Sequence, residues 1–376
     1  MAGKANMHEL GAGTSSINPH HGSTRNPYDP GRVSGGSSGG SAATVCAGLC
    51  PVALGADGGG SVRMPAALCG VVGFKPTAGR LSNSGLLPLN WTVGMPGILA
   101  ATVEDALIAY AAIVDQSKPS PLQQPELNLP LLTCTRSMPN IRLAKYAKWF
   151  DDSSEDIRSL CGKALRMLHT QYGWEVRVLK DIIGAKVRTV EVTVPEIEEM
   201  RLAHYVTMGS ECTASLAKYL DHMSKSEIGW DVRIGLSAYR SFSSRDYLNA
   251  QRLRSRQMYF HEKIFEAADA IVTPMTGVTA YPLQDDALRT GELDYINGAA
   301  LVRYSIAGNF LGLPAITVPV GHDRGGLPVG LQLIGRPWSE ATLLHLAHAV
   351  QEACCAAGER RSKPPKVHFD LLLAKD

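Results

Sequence analysis

Two serines set among glycines are the residues of this sequence best suited to carry chemistry. Ser37 lies in the run Gly35–Gly40 (GGSSGG), and Ser61 directly follows three glycines. A serine hydroxyl becomes a strong nucleophile only when a neighbouring group accepts its proton, and a second hydroxyl can relay that proton. Backbone amides that converge near Ser61 would stabilise an oxyanion by about 3–4 kcal/mol each. The two segments therefore predict a serine nucleophile with a relay hydroxyl.

Other uses of glycine-rich segments fit this sequence less well. A phosphate-binding loop ends in Gly-Lys-Ser/Thr, and no such ending follows either serine. A dinucleotide-binding turn needs G-x-G-x-x-G between a strand and a helix, which the spacing from Gly36 to Gly40 does not supply. No G-x-S-x-G elbow surrounds Ser61. The pair His20-His21 precedes Ser37 and raises a Ser-His couple, but its polar loop favours surface histidines.

The composition is that of an ordinary globular protein. The 376 residues are 45% apolar and 19% charged, with a net charge of +2, which suits one large domain or two small ones. The balanced charge gives no reason to expect a nucleic-acid partner. No window of about 18 apolar residues predicts a membrane span, and the first residues lack the apolar core of a secretory signal. We therefore expect an intracellular protein, cytoplasmic or peripheral to endomembranes.

Cysteines and histidines do not form a pattern typical of a metal site. The eight cysteines are scattered, and Cys46 and Cys50 have no second Cys/His pair at zinc spacing. His345 and His348 lie on a predicted helix without an evident third ligand. We therefore predict buried, reduced thiols and no bound metal.

The elements that would position the serines alternate between strands and helices. Ser41 is available as the N-cap of a small-residue apolar segment that continues to Leu54. Predicted strands are 52–55, 71–74, 270–274, 313–320 and 329–335. Predicted helices begin at Thr102 and Ser339 and span 153–173, 196–225 and 246–268. This alternation predicts an α/β fold in which helices cover a largely buried sheet.

Several segments together resemble the amidase signature family of serine hydrolases. They are residues 3–9, 24–30, the two serine segments, 73–77, 272–274, 312–315, 318–321 and 326–332. The resemblance covers nearly the whole chain, and the double-serine segment is highly specific. Residues 4–9 and 56–63 are most similar to the plant fatty acid amide hydrolases. The resemblance implies the amidase signature fold, a mixed central sheet covered by helices on both faces, with N-terminal strands missing from this chain.

The resemblance also implies roles for individual residues. Ser61 matches the nucleophile that forms the acyl-enzyme, and Ser37 matches the relay serine, which the family holds through a cis peptide bond from the preceding glycine. The oxyanion hole is matched by the amides of Gly58, Gly59, Gly60 and Ser61. Hydrogen-bonding positions around the site are matched by Ser38, Asp57 and Arg63. Neither a cofactor nor a metal is implied.

The family's base is a neutral lysine that draws the nucleophile's proton through the relay serine. That lysine lies on a strand upstream of the Gly-Lys-x-Asn segment with which this chain begins. Lys4 does not match its position and is interpreted as a structural or surface lysine. Lys180 lies in a superficially similar context far downstream of both serines, within a segment, 176–192, that suggests a splicing or gene-model artefact. We therefore expect an N-terminally truncated chain without a lysine at the matching position.

The predicted organisation is one amidase domain, 1–376. It divides into a signature core (1–115), a helical substrate-side region (116–265) and C-terminal strands with a helix (266–376). The predicted function is hydrolysis of a lipid amide, such as an N-acylethanolamine. No nucleic-acid partner is expected, while peripheral membrane contact and a homodimer are compatible with it. Two alternatives stay open: a catalytically impaired isoform that acts as a binding protein, and an amidotransferase-type amidase that acts on aminoacyl-tRNA.

Overall fold

A mixed sheet of eight strands forms the centre of the molecule. The computed structural model describes residues 3–114, 129, 140–178, 194–220, 227–292, 294–358 and 364–369. The strands lie in the order β3-β5-β4-β9-β10-β8-β6-β7. Their bounds are β3 Val52–Asp57, β4 Val72–Lys75, β5 Met95–Ala100, β6 Arg142–Lys145, β7 Glu175–Val178, β8 Ala270–Pro274, β9 Ala315–His322 and β10 Pro328–Gly335. A separate antiparallel pair, β1 Ile17–Asn18 and β2 Gly22–Ser23, precedes Ser37.

The sheet is antiparallel over most of its width. Neighbours pair antiparallel from β3 through β8, and parallel from β8 through β6 to β7. The apolar sequences of β8 and β10 are buried at every position, as expected for strands that are covered on both faces. The strands predicted at 52–55, 71–74, 270–274, 313–320 and 329–335 are all confirmed, with small shifts at their ends.

Helices cover both faces of this sheet. They are α1 Gly39–Cys46, α2 Arg63–Cys69, α3 Val103–Ile113, α4 Ala147–Phe150, α5 Glu155–Tyr172, α6 Ile197–Leu220, α7 Trp230–Tyr239, α8 Ser244–Ala267, α9 Ala287–Thr290, α10 Tyr295–Val302, α11 Ile306–Phe310 and α12 Glu340–Ala356. On one face Val272 packs into a core shared with α3, α5 and α12. Its neighbour Ile271 points to the other face, into a core shared with α6, α8 and α11. The predicted α/β class, with a mixed sheet between two helical layers, is confirmed.

The structure corrects the predicted helix cap at Ser41 and confirms the predicted helix start at Ser339. Helix α1 begins at Gly39, after Ser38, and ends at Cys46. Ser41 therefore lies inside the helix, where its hydroxyl donates to the carbonyl of Leu54 at 2.9 Å. Ser339 does occupy the N-cap position of α12, but its side chain makes no capping hydrogen bond. Thr102, by contrast, accepts a hydrogen bond from the Asp105 amide, so its predicted cap is confirmed.

The cysteine prediction holds in part. All seven cysteines within the described residues are free thiols, and Cys134 lies outside those residues. Cys69, Cys161, Cys212 and Cys354 are buried as expected, but Cys355 is exposed. None of the described helices combines the length and apolarity needed to cross a membrane. The division of the domain at residues 115 and 265 stays a prediction.

Candidate active site

The two serine segments lie side by side at the starts of α1 and α2. The Ser38 amide donates a hydrogen bond to the Ser61 carbonyl oxygen at 3.1 Å, which joins the segments directly. Ser37 is 3% exposed and Ser61 is 8% exposed, so both hydroxyls are nearly enclosed. The fold thus brings together the two serine segments, which are separated in the sequence by α1 and β3.

A loop formed by residues 6–16 encloses Ser37. The His8 amide and the Ser16 hydroxyl each donate to the Ser37 carbonyl oxygen at 3.0 Å. The Ser16 oxygen also accepts from the Gly39 amide at 2.9 Å, at the first turn of α1. The peptide bond between Gly36 and Ser37 is cis, as the family resemblance implied. Ser37 is therefore fixed mainly through its own backbone.

A buried imidazole clamps this loop to the second half of the chain. His8 Nε2 lies 3.1 Å from Asp231 Oδ2, and His8 Nδ1 lies 3.7 Å from Glu292 Oε2. Glu292 also accepts from the amides of Thr14 and Ser15 at 2.6 and 3.1 Å. Burial alone would raise the pKa of Asp231, but its hydrogen bond with His8 contributes to a net lowering. His8 therefore ties the loop around Ser37 to side chains more than 200 residues further along the chain than His8 itself.

The turn of residues 57–61, called here the Ser61 turn, is held by its carbonyl oxygens. From Asp57 to Gly60, every carbonyl of the turn accepts a hydrogen bond. The donors are Asn309 Nδ2 to Asp57 O at 2.8 Å, His204 Nε2 to Gly58 O at 2.9 Å, Ser305 Oγ to Gly59 O at 2.6 Å, and the Met64 amide to Gly60 O at 2.7 Å. Because a trans peptide unit is planar, fixing a C=O direction also fixes the N–H on its opposite side.

The N–H groups of the turn correct one expectation. The Gly60 amide donates to Asp57 Oδ1 at 2.7 Å, so it is not free to bind an oxyanion. Within the described residues no acceptor takes the amides of Gly58, Gly59 or Ser61. Three of the four amides that the resemblance implied thus remain able to donate to a developing oxyanion.

A fully buried ion pair supports the turn from below. Asp57 and Arg63 are both 0% exposed, and the guanidinium donates through Nε and Nη2 to the two carboxylate oxygens at 3.0 and 3.1 Å. Arg63 also donates to Gln332 Oε1, Asn309 Oδ1 and the Ser305 carbonyl. Burial would raise the pKa of Asp57, but the Arg63 guanidinium holds it well below its usual range. This paired, hydrogen-bonded arrangement is what allows two charges to remain in the core.

Lys75 is a fully buried lysine near this ion pair. Its ammonium donates to the Pro76 carbonyl at 2.8 Å and approaches Met95 Sδ at 3.1 Å. Burial lowers the pKa of Lys75 to about 7; Arg63 lowers it further, while Asp57 opposes the change. The residue belongs to the Gly-Phe-Lys-Pro-Thr segment that contributes to the family resemblance, but the sequence alone gave no sign of its burial. None of its hydrogen bonds reaches Ser37 or Ser61.

The other lysines and histidines considered from the sequence do not supply the base. Lys4 is exposed, and Lys180 lies outside the described residues. His20 is 54% exposed and pairs with Glu9, in agreement with a surface role. Across the described ranges, no lysine or histidine hydrogen-bonds to either serine hydroxyl. The structure thus assigns no general base among these residues.

Sequence reasoning missed the distant side chains that hold the Ser61 turn. His204, Ser305 and Asn309 come from α6, from the residue before α11 and from α11 itself. Only His204 carried a signal, because it is a polar residue at helical spacing from the apolar residues Met200 and Ala203. A histidine in such a place is more often an ordinary core residue, and its partner could not be inferred without the fold.

One expectation about metal ligands is corrected. His348 does have acidic neighbours: its Nε2 lies 3.0 Å from Glu104 Oε1. One ligand atom each from Glu104, His348 and Glu352 lie within 4.8 Å of one another. Glu104 already accepts from Gln351 at 2.8 Å, and Glu352 is exposed. We interpret the group as a hydrogen-bonded contact between α3 and α12.

Comparison with known proteins identifies the family of this chain. Residues 1–344 match the family model described as Amidase. The chain belongs to the amidase family. The fatty acid amide hydrolase of Arabidopsis thaliana is 46% identical over 99% of this chain. The chain spans 59% of that relative's length.

More distant amidases share the same fold. A glutamyl-tRNA(Gln) amidotransferase subunit of Thermosynechococcus vestitus is 33% identical over 94% of this amidase chain and 74% of its own. The crystal structure of the corresponding protein from Thermotoga maritima superposes with a TM-score of 0.75 and 29% identity, covering 100% of this chain and 76% of that one. These matches confirm the amidase signature fold that the sequence implied.

Proposed function

We propose that this amidase-family chain hydrolyses carboxylic amides through an acyl-enzyme on Ser61, with Ser37 as the proton relay. The observation that carries the proposal is the junction of the two serine segments, in which Ser38 N–H binds Ser61 O at 3.1 Å beside amides that have no acceptor among the described residues. Preorganised amides of this kind stabilise the charge that develops on a carbonyl oxygen during acyl transfer.

In the proposed reaction Ser61 Oγ attacks the amide carbon. The proton of that hydroxyl passes by way of Ser37 to the leaving nitrogen as the C–N bond breaks. An amine departs, and water then cleaves the Ser61 ester to release a carboxylic acid. The amides of Gly58, Gly59 and Ser61 would hold the oxyanion. No metal or organic cofactor enters these steps, and the residue that first accepts the proton from Ser37 is left unassigned.

The proposed substrates are amides of fatty acids, such as N-acylethanolamines. Support comes from the order of similarity, since four plant fatty acid amide hydrolases are 43–46% identical to this chain. The amidotransferase relatives are 33% identical, which makes glutamine-dependent chemistry the second candidate. With a small-molecule lipid as substrate, we also propose peripheral membrane contact, and a homodimer is compatible with this function.

A covalent serine probe tests the nucleophile. The folded full chain is incubated with a fluorophosphonate and the modified peptide is identified by mass spectrometry. We expect labelling at Ser61, loss of labelling in Ser61→Ala and slower labelling in Ser37→Ala. Ser84→Ala, at an exposed serine outside the site, is the matched control and should label normally. Absence of labelling in soluble, folded wild type would sink the proposal and favour a binding protein.

Substrate release assays separate the two chemistries. Free fatty acid from an N-acylethanolamine supports the proposed class, whereas ammonia from glutamine supports the amidotransferase class. Each assay includes Ser61→Ala, so that activity from a contaminant is excluded.

A further inference from the structure

His204 reaches the Ser61 turn from α6, a helix to which no motif assigned a role in the chemistry. Its Nε2 lies 2.9 Å from Gly58 O, across 146 residues of sequence. The side chain is 3% exposed, and its ring packs edge-on against Phe310 with 6.0 Å between the centroids. A Cβ atom added at Gly59 would lie 3.4 Å from His204 Cε1. The ring therefore lies directly against the turn that carries the nucleophile.

The hydrogen-bond acceptor determines which ring nitrogen of His204 carries the proton. A carbonyl oxygen can only accept a hydrogen bond, so Nε2 must carry the proton. Burial lowers the pKa of His204 to about 4, and the ring is therefore neutral at neutral pH, in its Nε2–H tautomer. Such a donor holds the carbonyl of Gly58 without placing a full charge beside the reacting serine.

We propose that His204 is a positioning residue that aims the Gly59 N–H at the oxyanion of the tetrahedral intermediate, which forms when Ser61 attacks the substrate carbonyl. The inference rests on the proposed function. Gly58 C=O and Gly59 N–H belong to one planar peptide unit and point in opposite directions. Holding the oxygen from one side therefore holds the N–H toward the other, and no described acceptor takes that N–H.

Each of the other side-chain donors to the turn is shared between two carbonyl acceptors. The Ser305 hydroxyl has one proton but two carbonyl acceptors, Gly59 O at 2.6 Å and Val302 O at 2.8 Å. Asn309 Nδ2 serves both Asp57 O and Val93 O. His204 instead offers a single N–H to a single carbonyl. The peptide unit that it holds carries the Gly59 N–H, whereas the unit held by Asn309 carries the Gly58 N–H.

A second buried histidine shows that burial alone does not produce this contact. His261 on α8 is 5% exposed, and burial lowers its pKa to about 4 as well. Its Nδ1 lies 2.9 Å from Gln257 O, one turn earlier in its own helix. His261 therefore bonds locally, while His204 donates its proton to the Ser61 turn. The two residues form a matched pair for experiment.

The test compares variants of equal length with and without a donor. His204→Gln can present an amide N–H to Gly58 O, whereas His204→Met cannot. The readouts are the second-order rate of fluorophosphonate labelling at Ser61 and the thermal midpoint. We expect labelling to slow about tenfold or more in His204→Met and to stay within about threefold of wild type in His204→Gln. His261→Met should lower the midpoint without changing the labelling rate.

Each outcome bears on a different claim. Equal labelling of His204→Met and His204→Gln, in a wild type that does label, would overturn the role of His204 and leave the proposed function intact. An unlabelled wild type would remove the proposed function and this role together. His204→Phe, which refills the aromatic volume, is the second donor-less variant where His204→Met does not fold. Failure of both to fold would show a purely structural residue and also overturn the proposal.

Discussion

The two serines sit in similar glycine-rich sequences but are held in different ways. Ser37 is held by a loop near it in the sequence: Ser16 binds its carbonyl oxygen across 21 residues. The Ser61 turn is held by side chains that lie 146 to 252 residues from the carbonyls they bind. The relay position is thus built locally and then clamped, while the nucleophile position is built from remote parts of the chain.

This difference separates two kinds of dependence on the fold. The Ser61 turn can reach its final geometry only after α6 and α11 have docked on the sheet, since they supply His204 and Asn309. The loop around Ser37 can form from residues 6–16 and needs the distant acids Asp231 and Glu292 only to secure it. We therefore expect damage to the Ser61 turn to cost more than damage around Ser37.

The largest effect should come from the ion pair beneath the Ser61 turn. Asp57→Asn or Arg63→Met leaves one buried charge without its partner, and each should lower the free energy of unfolding by about 3–5 kcal/mol. Asp57→Asn also weakens the acceptor for the amides of Gly60 and Val62. Urea unfolding of each variant gives the measurement.

A surface pair provides the control for this comparison. Arg324 contacts Glu155 and Asp156 at the exposed surface, where ion pairs contribute little. Arg324→Met should leave the unfolding midpoint unchanged. A loss in Arg324→Met as large as that in Arg63→Met would show that burial is not the reason for the expected cost.

Acid should have the next largest effect, through the two buried histidines His204 and His261. Burial lowers the pKa of His204 and His261 from 6.5 to about 4, so the unfolded chain takes up protons before the folded chain does. The contribution of each neutral ring to the free energy of unfolding is complete well above pH 6.5 and is lost as the pH drops toward 4. The full loss is about 3 kcal/mol per histidine. Unfolding measured from pH 7 to 4.5 should show a shallower slope in His204→Gln than in wild type. Parallel slopes would contradict the expected neutral, buried ring.

The strands and the two serines could be predicted from the sequence, but the side chains that hold the Ser61 turn could not. The strands at 270–274 and 329–335 could be predicted because their apolar runs end at proline or glycine. The pairing of Ser37 with Ser61 followed from a specific motif. His204 and Asn309 could not be assigned, because helical spacing shows which face is apolar but not which carbonyl a polar side chain will meet. Lys75 was visible in its motif, but its lowered pKa is a property of burial.

A smaller effect is expected where the loop of residues 6–16 packs on Gly36. A Cβ atom at Gly36 would lie 2.7 Å from Thr14 C and 2.9 Å from Ser15 N. Because both are backbone atoms, Gly36→Ala should cost about 1–3 kcal/mol. Gly162→Ala on α5 is the control, since its Cβ would meet only the end of Arg166 at 3.5 Å, and it should stabilise by about 0.5–1 kcal/mol. Similar losses in both would show that packing at Gly36 is not special.

The smallest effect should come from the clamp on the Ser37 loop. His8→Gln keeps an amide donor for Asp231 but removes the imidazole that faces Glu292, and we expect a loss of about 1 kcal/mol. The His8 backbone amide holds Ser37 O, so Ser61 labelling should slow by only a fewfold as the loop loosens. His20→Gln, at the neighbouring exposed histidine, should change neither quantity. A loss in His8→Gln that exceeds the loss in Asp57→Asn would contradict this expectation, because the relay side would then depend on remote contacts more strongly than the nucleophile side.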